Sequence, residues 1–160
     1  MISTFKIASL NVHVKVVLRL SNVRAVQAML SVRRLLEEAG LPCVRMPGGN
    51  FVSGWNWKDS IGPMAQRKTR LDPAWFQYIP NDVGHDEYLQ WAEKCGAEAM
   101  YTINLGTGTI QDAMDIVEYT NFEGGTHWSD LRRQNGHEKP YGVKTWYLGN
   151  EMDGPWQICH

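Results

Sequence analysis

The stretch Tyr147-Leu148-Gly149-Asn150-Glu151-Met152-Asp153-Gly154-Pro155-Trp156 ends a run of apolar residues with an amide and a carboxylate. The apolar run, residues 143–148, predicts a buried strand that stops at Gly149. Asn150 and Glu151 follow directly, so both are expected at the carboxyl end of that strand. A Glu in this position, beside an Asn and close to a Trp, is a candidate general acid for cleaving a glycosidic bond.

Hydrophobic periodicity predicts strands and helices that alternate along the chain. The predicted strands are residues 11–20, 41–46, 99–105 and 143–148, and the predicted helices are residues 22–39, 86–95 and 110–119. Residues 51–80 and 121–142 show no clear period, and we predict that both are long loops of the kind that often carry function. The alternation is typical of a parallel α/β sheet.

Asparagine lies at or just after the carboxyl end of three consecutive predicted strands, at positions 50, 104 and 150. Binding sites in parallel α/β sheets gather at the carboxyl ends of the strands. An amide offers both donors and acceptors, so Asn50, Asn104 and Asn150 could hydrogen-bond sugar hydroxyls. A single Asn in such a place is more often a turn residue. Three at one edge of a sheet favour a binding site.

Glu151 and the loop tryptophans each have a second interpretation. Burial against Met152 and Trp156 would keep the Glu151 carboxyl protonated, as a general acid requires. Alternatively, Glu151 is a carboxylate that begins a helix, where negative charge is favourable. The loop residues Trp55, Trp57 and Trp75 could stack on sugar faces, or they could anchor a long loop to the core.

Other polar motifs indicate less. The stretch Gly106-Thr107-Gly108-Thr109 could hold a phosphate at a helix N-terminus, but it lacks the complete dinucleotide and P-loop patterns. The stretches His85-Asp86-Glu87 and His137-Glu138 contain metal-ligand residue types without a metal-site spacing, and we predict solvated surface there and no metal or cofactor. Cys43 and Cys95 lie in apolar segments and are expected to be core thiols.

Composition excludes several classes of protein. The net charge of -1 over 160 residues argues against a general nucleic-acid binder. No run approaches the roughly 18 apolar residues expected of a membrane span. The three cysteines, without a CxxC spacing, fit a reducing compartment. No secretory signal is evident, so a cytoplasmic location is expected.

The first 50 residues differ in composition from the rest. Only Phe5 of the 17 aromatic residues lies there, and this segment holds seven Lys and Arg residues but only two Asp and Glu residues. Residues 51–160 hold nine Lys and Arg against fifteen Asp and Glu. The difference is either chance variation or a sign that the N-terminal part has a separate history.

Several long motifs, in order along the chain, resemble one known family. They are Arg45-Met46-Pro47-Gly48-Gly49-Asn50-Phe51-Val52-Ser53-Gly54-Trp55-Asn56-Trp57, Ile61-Gly62-Pro63, Arg70-Leu71-Asp72-Pro73-Ala74-Trp75, Asn104-Leu105-Gly106-Thr107-Gly108-Thr109, Val117-Glu118-Tyr119, Trp128-Ser129-Asp130-Leu131-Arg132 and Leu148-Gly149-Asn150-Glu151-Met152-Asp153-Gly154-Pro155-Trp156-Gln157-Ile158. Together they resemble the α-L-arabinofuranosidases of glycoside hydrolase family 51, and the resemblance covers residues 32–160 almost without a break.

The resemblance implies a (β/α)8 TIM barrel that removes terminal non-reducing α-L-arabinofuranosyl groups from arabino-oligosaccharides with retention of configuration. It implies that Glu151 is the general acid/base and that Asn150 contacts the 2-hydroxyl of the sugar. It also implies that Asn50 binds the sugar and that Trp75 lies near the pocket mouth. Asn104 is a further candidate from its place at a strand end alone. Members of the family are often cytoplasmic hexamers, and no nucleic acid or membrane partner is implied.

The family pattern also predicts that this chain holds only about the first half of the barrel. A barrel of this type needs roughly 250 residues, and the family's nucleophilic Glu lies on a later strand. The opening Phe5-Lys6-Ile7-Ala8 resembles the family, but residues 12–30 do not. We expect a divergent N-terminal strand and helix start in residues 1–31, and a truncated barrel in residues 32–160 that is inactive alone. The alternative is a non-catalytic sugar-binding or pseudoenzyme module with the same barrel rim.

Overall fold

A parallel sheet of three strands organises the part of the chain that carries the candidate residues. The computed structural model describes residues 2–7, 12–17, 32, 34–155 and 157. The strands are β1 Ile2–Ile7, β2 Val12–Val17, β3 Cys43–Met46, β4 Arg70–Asp72, β5 Gln77–Ile79, β6 Glu98–Ile103 and β7 Thr145–Leu148. The α-helices with both ends described are α1 His85–Cys95, α2 Ile110–Asn121 and α3 His127–Gln134.

Strand β6 lies between β3 and β7 and pairs in parallel with both. Met46 is opposite Tyr101, and Ile103 is opposite Leu148, so the carboxyl ends of all three strands meet at one edge. Helix α1 leads from the β3 region into β6, and α2 and α3 lie between β6 and β7. This arrangement confirms the predicted α/β class.

The two N-terminal strands do not join the parallel sheet in the described structure. Strand β1 pairs antiparallel with β2, with Ile2 opposite Val17 and Ile7 opposite Val12, in a separate two-stranded sheet. The predicted strand 11–20 is therefore present as β2, but β2 pairs with β1 and not with the parallel sheet. Of the predicted helix 22–39, residues 34–38 are helical, and its start lies outside the described residues.

Helices α1 and α2 begin where the sequence supplies caps. The side chain of Glu87 accepts a hydrogen bond from the backbone N–H of Gly84 at 2.8 Å, and Gly96, with φ of 67°, ends α1. Thr109 and Asp112 form the corresponding reciprocal pair at the start of α2. Gly84 also allows a close approach, because a Cβ atom there would lie 1.9 Å from the carbonyl oxygen of Ser60.

Two hydrophobic clusters fill the space between the sheet and the helices. The first consists of Leu36, Leu41, Val44, Met46, Ala92, Cys95 and Ala97. The second consists of Trp55, Trp57, Leu89, Tyr101, Ile103, Ile116, Tyr119 and Val143. Cys95 is a buried core thiol as predicted, whereas Cys43 is half-buried. Burial of this apolar area is the main favourable term for the fold.

The prediction of solvated surface at His85 and Asp86 is wrong, because both are buried. The ring of His85 contacts the Tyr101 hydroxyl at 2.6 Å through Nδ1 and the Thr120 hydroxyl at 3.0 Å through Nε2. Thr120 donates its own proton to a backbone carbonyl, so Nε2 carries the imidazole proton and Nδ1 accepts. Burial lowers the pKa of His85 to about 3, which fits this neutral ring. Burial also raises the pKa of Asp86.

Residues 51–80 are not the unstructured loop that the sequence predicts. They contain three 3-10 helices, Gly49–Gly54, Trp57–Ser60 and Met64–Gln66, and the antiparallel hairpin of β4 and β5. Trp55 and Trp57 are buried, which supports their interpretation as anchors. The nitrogen Nε1 of Trp55 donates to Asn81 at 3.0 Å. Side-chain contacts of this kind fix short elements that have no hydrophobic period.

Residues 121–142 contain a helix, α3, where the sequence analysis predicts a polar loop. The fully buried Arg132 holds this segment together, with hydrogen bonds to five backbone carbonyl groups. They belong to Tyr119, Phe122, Glu123, His137 and Glu138, at distances of 2.6 to 3.3 Å. One side chain therefore joins backbone carbonyls on both sides of α3.

The last strand is more exposed than predicted. Tyr147 and Leu148 of β7 are 39% and 71% exposed, so the apolar run does not form a fully buried strand. Ile110 and Met114 of α2 are also exposed. These side chains leave apolar surface exposed in the described part of the chain. Within the described residues, no helix has the length and hydrophobicity needed to cross a bilayer.

Replacing Arg132 by Met is expected to destabilise the protein by at least about 3 kcal/mol, because a fully buried side chain loses all five of its hydrogen bonds. The neighbouring Arg133→Met is the matched control. Arg133 is exposed and makes surface ion pairs with Asp130 and Glu138, so its loss should cost at most about 1 kcal/mol. Urea denaturation and amide hydrogen exchange of α3 measure both effects. Equal effects of the two substitutions would contradict the role given to Arg132.

Candidate functional site at the carboxyl edge of the sheet

Four side chains from three parts of the chain form a hydrogen-bonded group at the carboxyl edge, which we call the amide cluster. It consists of Arg45, Asn50, Asn150 and Gln157. The Nη2 atom of Arg45 donates to Oδ1 of Asn150 at 2.6 Å, and Nδ2 of Asn150 donates to Oδ1 of Asn50 at 2.7 Å. The Nε2 atom of Gln157 donates to Oδ1 of Asn50 at 2.9 Å and to the carbonyl of Asn150 at 2.7 Å.

The register of the sheet places Arg45 in this cluster. The strand register places Arg45 of β3, Thr102 of β6 and Tyr147 of β7 on the same face of the sheet, because side chains alternate between the two faces along each strand. The guanidinium donates from Nε to the Thr102 hydroxyl at 3.2 Å and lies 5.6 Å from the centre of the Tyr147 ring. These contacts direct its remaining donors toward Asn150.

A tight turn after β7 separates Asn150 from Glu151. Gly149 has φ of 77°, and its N–H donates to the carbonyl of Ile103 at 3.1 Å, which extends the sheet by one residue. Glu151 has φ of 51°, in the left-handed region that residues other than Gly adopt at a cost. Asn150 is consequently buried, whereas Glu151 is exposed. The expected burial of the Glu151 carboxyl is not found, and Trp156 lies outside the described residues.

Trp75 lies at the tip of the β4–β5 hairpin and is 62% exposed. Oδ1 of Asp72 accepts hydrogen bonds from the N–H groups of Ala74 and Trp75, at 2.9 and 3.3 Å, and so shapes the tip. Phe76, with φ of 49°, completes the reversal. Of the three loop tryptophans, Trp75 is therefore the one that is exposed to solvent.

Asn104 does not join the amide cluster, although it follows β6 at the same edge. Its Nδ2 donates to the carbonyl of Trp55 and to the hydroxyl of Thr107, each at 3.0 Å. Its Oδ1 accepts from the N–H groups of Gly106 and Thr107 at 2.8 and 3.0 Å. These contacts stabilise the loop before α2, which is the turn role that Asn often has.

The structure gives little support to a phosphate site at residues 106–109. The carboxylate of Asp112 already accepts from the N–H and hydroxyl of Thr109 at the start of α2. A negative charge in this position competes with a phosphate for the same donors. The described residues also contain no group of three His, Cys, Asp or Glu side chains arranged to hold a metal ion.

The sequence analysis missed Arg45 and Gln157 as candidate residues. Arg45 alternates with the core residues Val44 and Met46, so the period of two could have shown that it faces the opposite side of β3. Gln157 follows no periodic element and carries no local signal. Only the folded turn brings it beside Asn50, which is 107 positions earlier in the chain.

Comparison with known proteins identifies the family. The family model described as the α-L-arabinofuranosidase 1 domain matches residues 35–156, which is most of the chain. This chain belongs to the α-L-arabinofuranosidases of glycoside hydrolase family 51. The match begins after the N-terminal hairpin and includes Arg45, Asn50 and Asn150 of the amide cluster, together with Glu151.

Individual members of the family are similar in sequence and structure. The intracellular exo-α-(1→5)-L-arabinofuranosidase 1 of Bacillus subtilis (strain 168) is 54% identical over 129 residues, which cover 81% of this chain and 26% of that protein. The crystal structure of the Thermotoga maritima α-L-arabinofuranosidase in complex with arabinose has a TM-score of 0.80 and 45% identity, over 82% of this chain and 27% of that one.

The structure of AbfB, a family 51 α-L-arabinofuranosidase from Bifidobacterium longum, has a TM-score of 0.79 and 47% identity. The match covers 82% of this chain and 26% of AbfB. This chain therefore spans about a quarter of the length of the relatives that it matches.

The contacts of Asn104 predict that its loss affects stability and not ligand affinity. Asn104→Ala removes four hydrogen bonds and should cost about 1–3 kcal/mol in the free energy of unfolding. Asn104→Asp keeps the acceptor for Gly106 and Thr107 and should cost less. Urea denaturation of both variants, with a titration of methyl α-L-arabinofuranoside, tests this role. A variant of full stability that loses ligand affinity would show that Asn104 binds the sugar.

Proposed function

We propose that this chain forms the acid/base side of the active site of a retaining exo-α-L-arabinofuranosidase. The observation that carries the proposal is the amide cluster beside Glu151, in which Asn50 and Asn150 come within 2.7 Å from strands distant in sequence. Relatives at up to 54% identity are named exo-α-L-arabinofuranosidases. The proposed substrates are arabino-oligosaccharides with terminal α-L-arabinofuranosyl groups.

In the proposed reaction, Glu151 protonates the glycosidic oxygen as the bond to the anomeric carbon breaks. A second carboxylate, about 5–5.5 Å away in a retaining site, attacks the anomeric carbon. Glu151 then removes a proton from the water that releases the sugar. Asn50 and Asn150 hold hydroxyl groups of the arabinofuranosyl ring, and Trp75 contacts the substrate near the entrance.

The nucleophilic carboxylate is proposed to come from polypeptide that packs against the open edge of β7. The chain spans about a quarter of its relatives, and the exposed Leu148, Ile110 and Met114 offer an apolar surface for that packing. The same packing would complete a (β/α)8 barrel and cover Glu151, since a general acid keeps its proton more readily when buried. The 160-residue chain alone is therefore proposed to be inactive.

The proposal extends to the wider organisation of the enzyme. Residues 1–31 form a divergent N-terminal segment and residues 32–160 form the barrel segment, in keeping with a family match that begins at residue 35. A cytoplasmic location is proposed from the name of the Bacillus subtilis relative, which calls that enzyme intracellular. The intact enzyme is proposed to be a homo-oligomer, with a hexamer as the specific expectation.

A chimera tests the role of Glu151. Residues 35–156 would replace the matching segment of the Bacillus subtilis relative, and the product should release arabinose from α-(1→5)-linked arabinotriose. Glu151→Gln should lower kcat/KM for arabinotriose by about 10²–10⁴-fold, the usual contribution of a general acid–base group. The first step with 4-nitrophenyl α-L-arabinofuranoside should be affected much less, because nitrophenolate leaves without protonation.

The control in the chimera is Glu138→Gln, which removes an exposed carboxylate that pairs with Arg133 and should leave turnover unchanged. Added azide should restore turnover of the aryl substrate by Glu151→Gln, because an anionic nucleophile needs no general base. Equal losses with both substrates would exclude Glu151 as the acid. Turnover by the isolated 160-residue chain, abolished by Glu151→Gln, would show that the chain supplies its own nucleophile.

A non-catalytic sugar-binding or pseudoenzyme module is the second candidate. The observation that favours it is that the hydrogen bonds between Asn50, Asn150 and Gln157 need no second carboxylate. It predicts that the chain binds arabino-oligosaccharides, that Asn50→Ala and Trp75→Ala weaken binding, and that the chimera shows no turnover. Turnover by the chimera would support the enzyme and contradict the non-catalytic module.

A further inference from the structure

The amide cluster contains two groups that can each play only one part in a hydrogen bond. The guanidinium of Arg45 can only donate, and the backbone carbonyl of Asn150 can only accept. Arg45 contacts Asn150 at 2.6 Å, and the carbonyl of Asn150 contacts Gln157 at 2.7 Å. The three side-chain amides lie between these two fixed points.

The orientation of each amide follows from these end groups. Because Arg45 donates, Asn150 must turn Oδ1 toward it, and Nδ2 of Asn150 then faces Asn50. Because Nδ2 donates, Asn50 must present Oδ1. From the other end, the carbonyl of Asn150 requires a donor, so Gln157 presents Nε2, which also reaches Oδ1 of Asn50 at 2.9 Å. The contacts that start at Arg45 and those that start at the Asn150 carbonyl therefore require the same orientation of the Asn50 amide.

Burial makes this arrangement costly to change. Asn150 and Gln157 are 7% and 6% exposed. A flip of either amide would place two donors or two acceptors against each other with little water to compensate, so the flipped arrangement is disfavoured. Arg45 is itself held by the Thr102 hydroxyl at 3.2 Å. The arrangement is therefore built into the fold before a ligand arrives.

We propose that Gln157 is a positioning residue that fixes the Asn50 amide with its oxygen inward and its Nδ2 group toward the ligand. Nδ2 of Asn50 then donates a hydrogen bond to the substrate, so Asn50 selects hydroxyl oxygens that accept one. Gln157 reaches the ligand only through Asn50. This inference deepens the proposed function, on which its consequence for arabinofuranoside binding rests, whereas the orientation itself does not depend on that function.

The orientation can be measured without a ligand. In the 160-residue chain labelled with ¹⁵N at Asn and Gln, the side-chain amide protons of Gln157 should exchange more slowly with solvent than those of the exposed Gln134. Gln157→Glu replaces the donor by a carboxylate that faces Oδ1 of Asn50 and the carbonyl of Asn150. The side-chain amide signals of Asn50 and Asn150 should then shift, while those of Asn121, on α2, should stay in place.

Gln90→Glu is the matched control. Gln90 contacts the Tyr141 hydroxyl at 3.4 Å, away from the amide cluster, so this variant should leave the Asn50 and Asn150 signals unchanged. Gln157→Met provides a second test if the charged variant does not fold, because it removes the donor with little change in volume. Unchanged Asn50 and Asn150 signals in a folded Gln157 variant would overturn the inference, as would rapid exchange of the Gln157 amide in the unsubstituted chain.

Titration with methyl α-L-arabinofuranoside tests the consequence for binding. Gln157→Glu or Gln157→Met should weaken binding about tenfold, as expected for a displaced hydrogen bond, and Gln90→Glu should not change it. Unchanged affinity in a Gln157 variant whose Asn50 signal has moved would refute the link to recognition. If the chimera neither binds nor turns over an arabinofuranoside, the proposed function fails, and the amide signals of the 160-residue chain alone still decide the positioning role.

Discussion

The parallel pairing of β6 with both β3 and β7 is the constraint on which the rest of the structure depends. Parallel strands need long connections, and this chain uses α1 for one and α2 with α3 for the other. The pairing brings the residues after β3 and after β7 to the same edge. Asn50 and Asn150, 100 positions apart, can therefore share a hydrogen bond. Without this register, neither residue would have a partner.

Donor-only side chains stabilise the two regions where regular structure ends. Arg132 collects five backbone carbonyls around α3, and Arg45 orients the amide cluster at the sheet edge. Arginine suits both places, because its planar group offers several donors in fixed directions. Loops rich in polar residues thereby acquire defined conformations although they contribute few residues to the hydrophobic core.

The elements that follow a hydrophobic period are the ones that could be predicted from the sequence. Helices α1 and α2 and strands β3, β6 and β7 lie close to their expected bounds, and Asn150 and Glu151 lie at a strand end as expected. Helix α3 was missed because most of its side chains are polar, and its stability depends on the buried Arg132. The burial of His85 was missed because its partners Tyr101 and Thr120 come from distant elements.

The structure separates the contacts of the three Asn residues. Because Asn50, Asn104 and Asn150 all lie at strand ends, the sequence predicts one role for them. Their contacts divide them into two groups. Asn50 and Asn150 belong to the amide cluster beside Glu151. The side chain of Asn104 instead forms four hydrogen bonds with its own loop and with Trp55. Spacing in the sequence does not determine which way an amide turns, because the donors and acceptors around it do.

The most direct test of the central claim is a crystal structure of the chain with an arabinofuranose-configured iminosugar. The account predicts that the sugar ring lies at the carboxyl edge of the sheet, with hydroxyl oxygens within hydrogen-bond distance of Nδ2 of Asn50 and of Asn150. Glu151 should face the position of the glycosidic oxygen. A ligand bound elsewhere on the chain, or at this edge with the Asn50 oxygen turned toward it, would contradict the account.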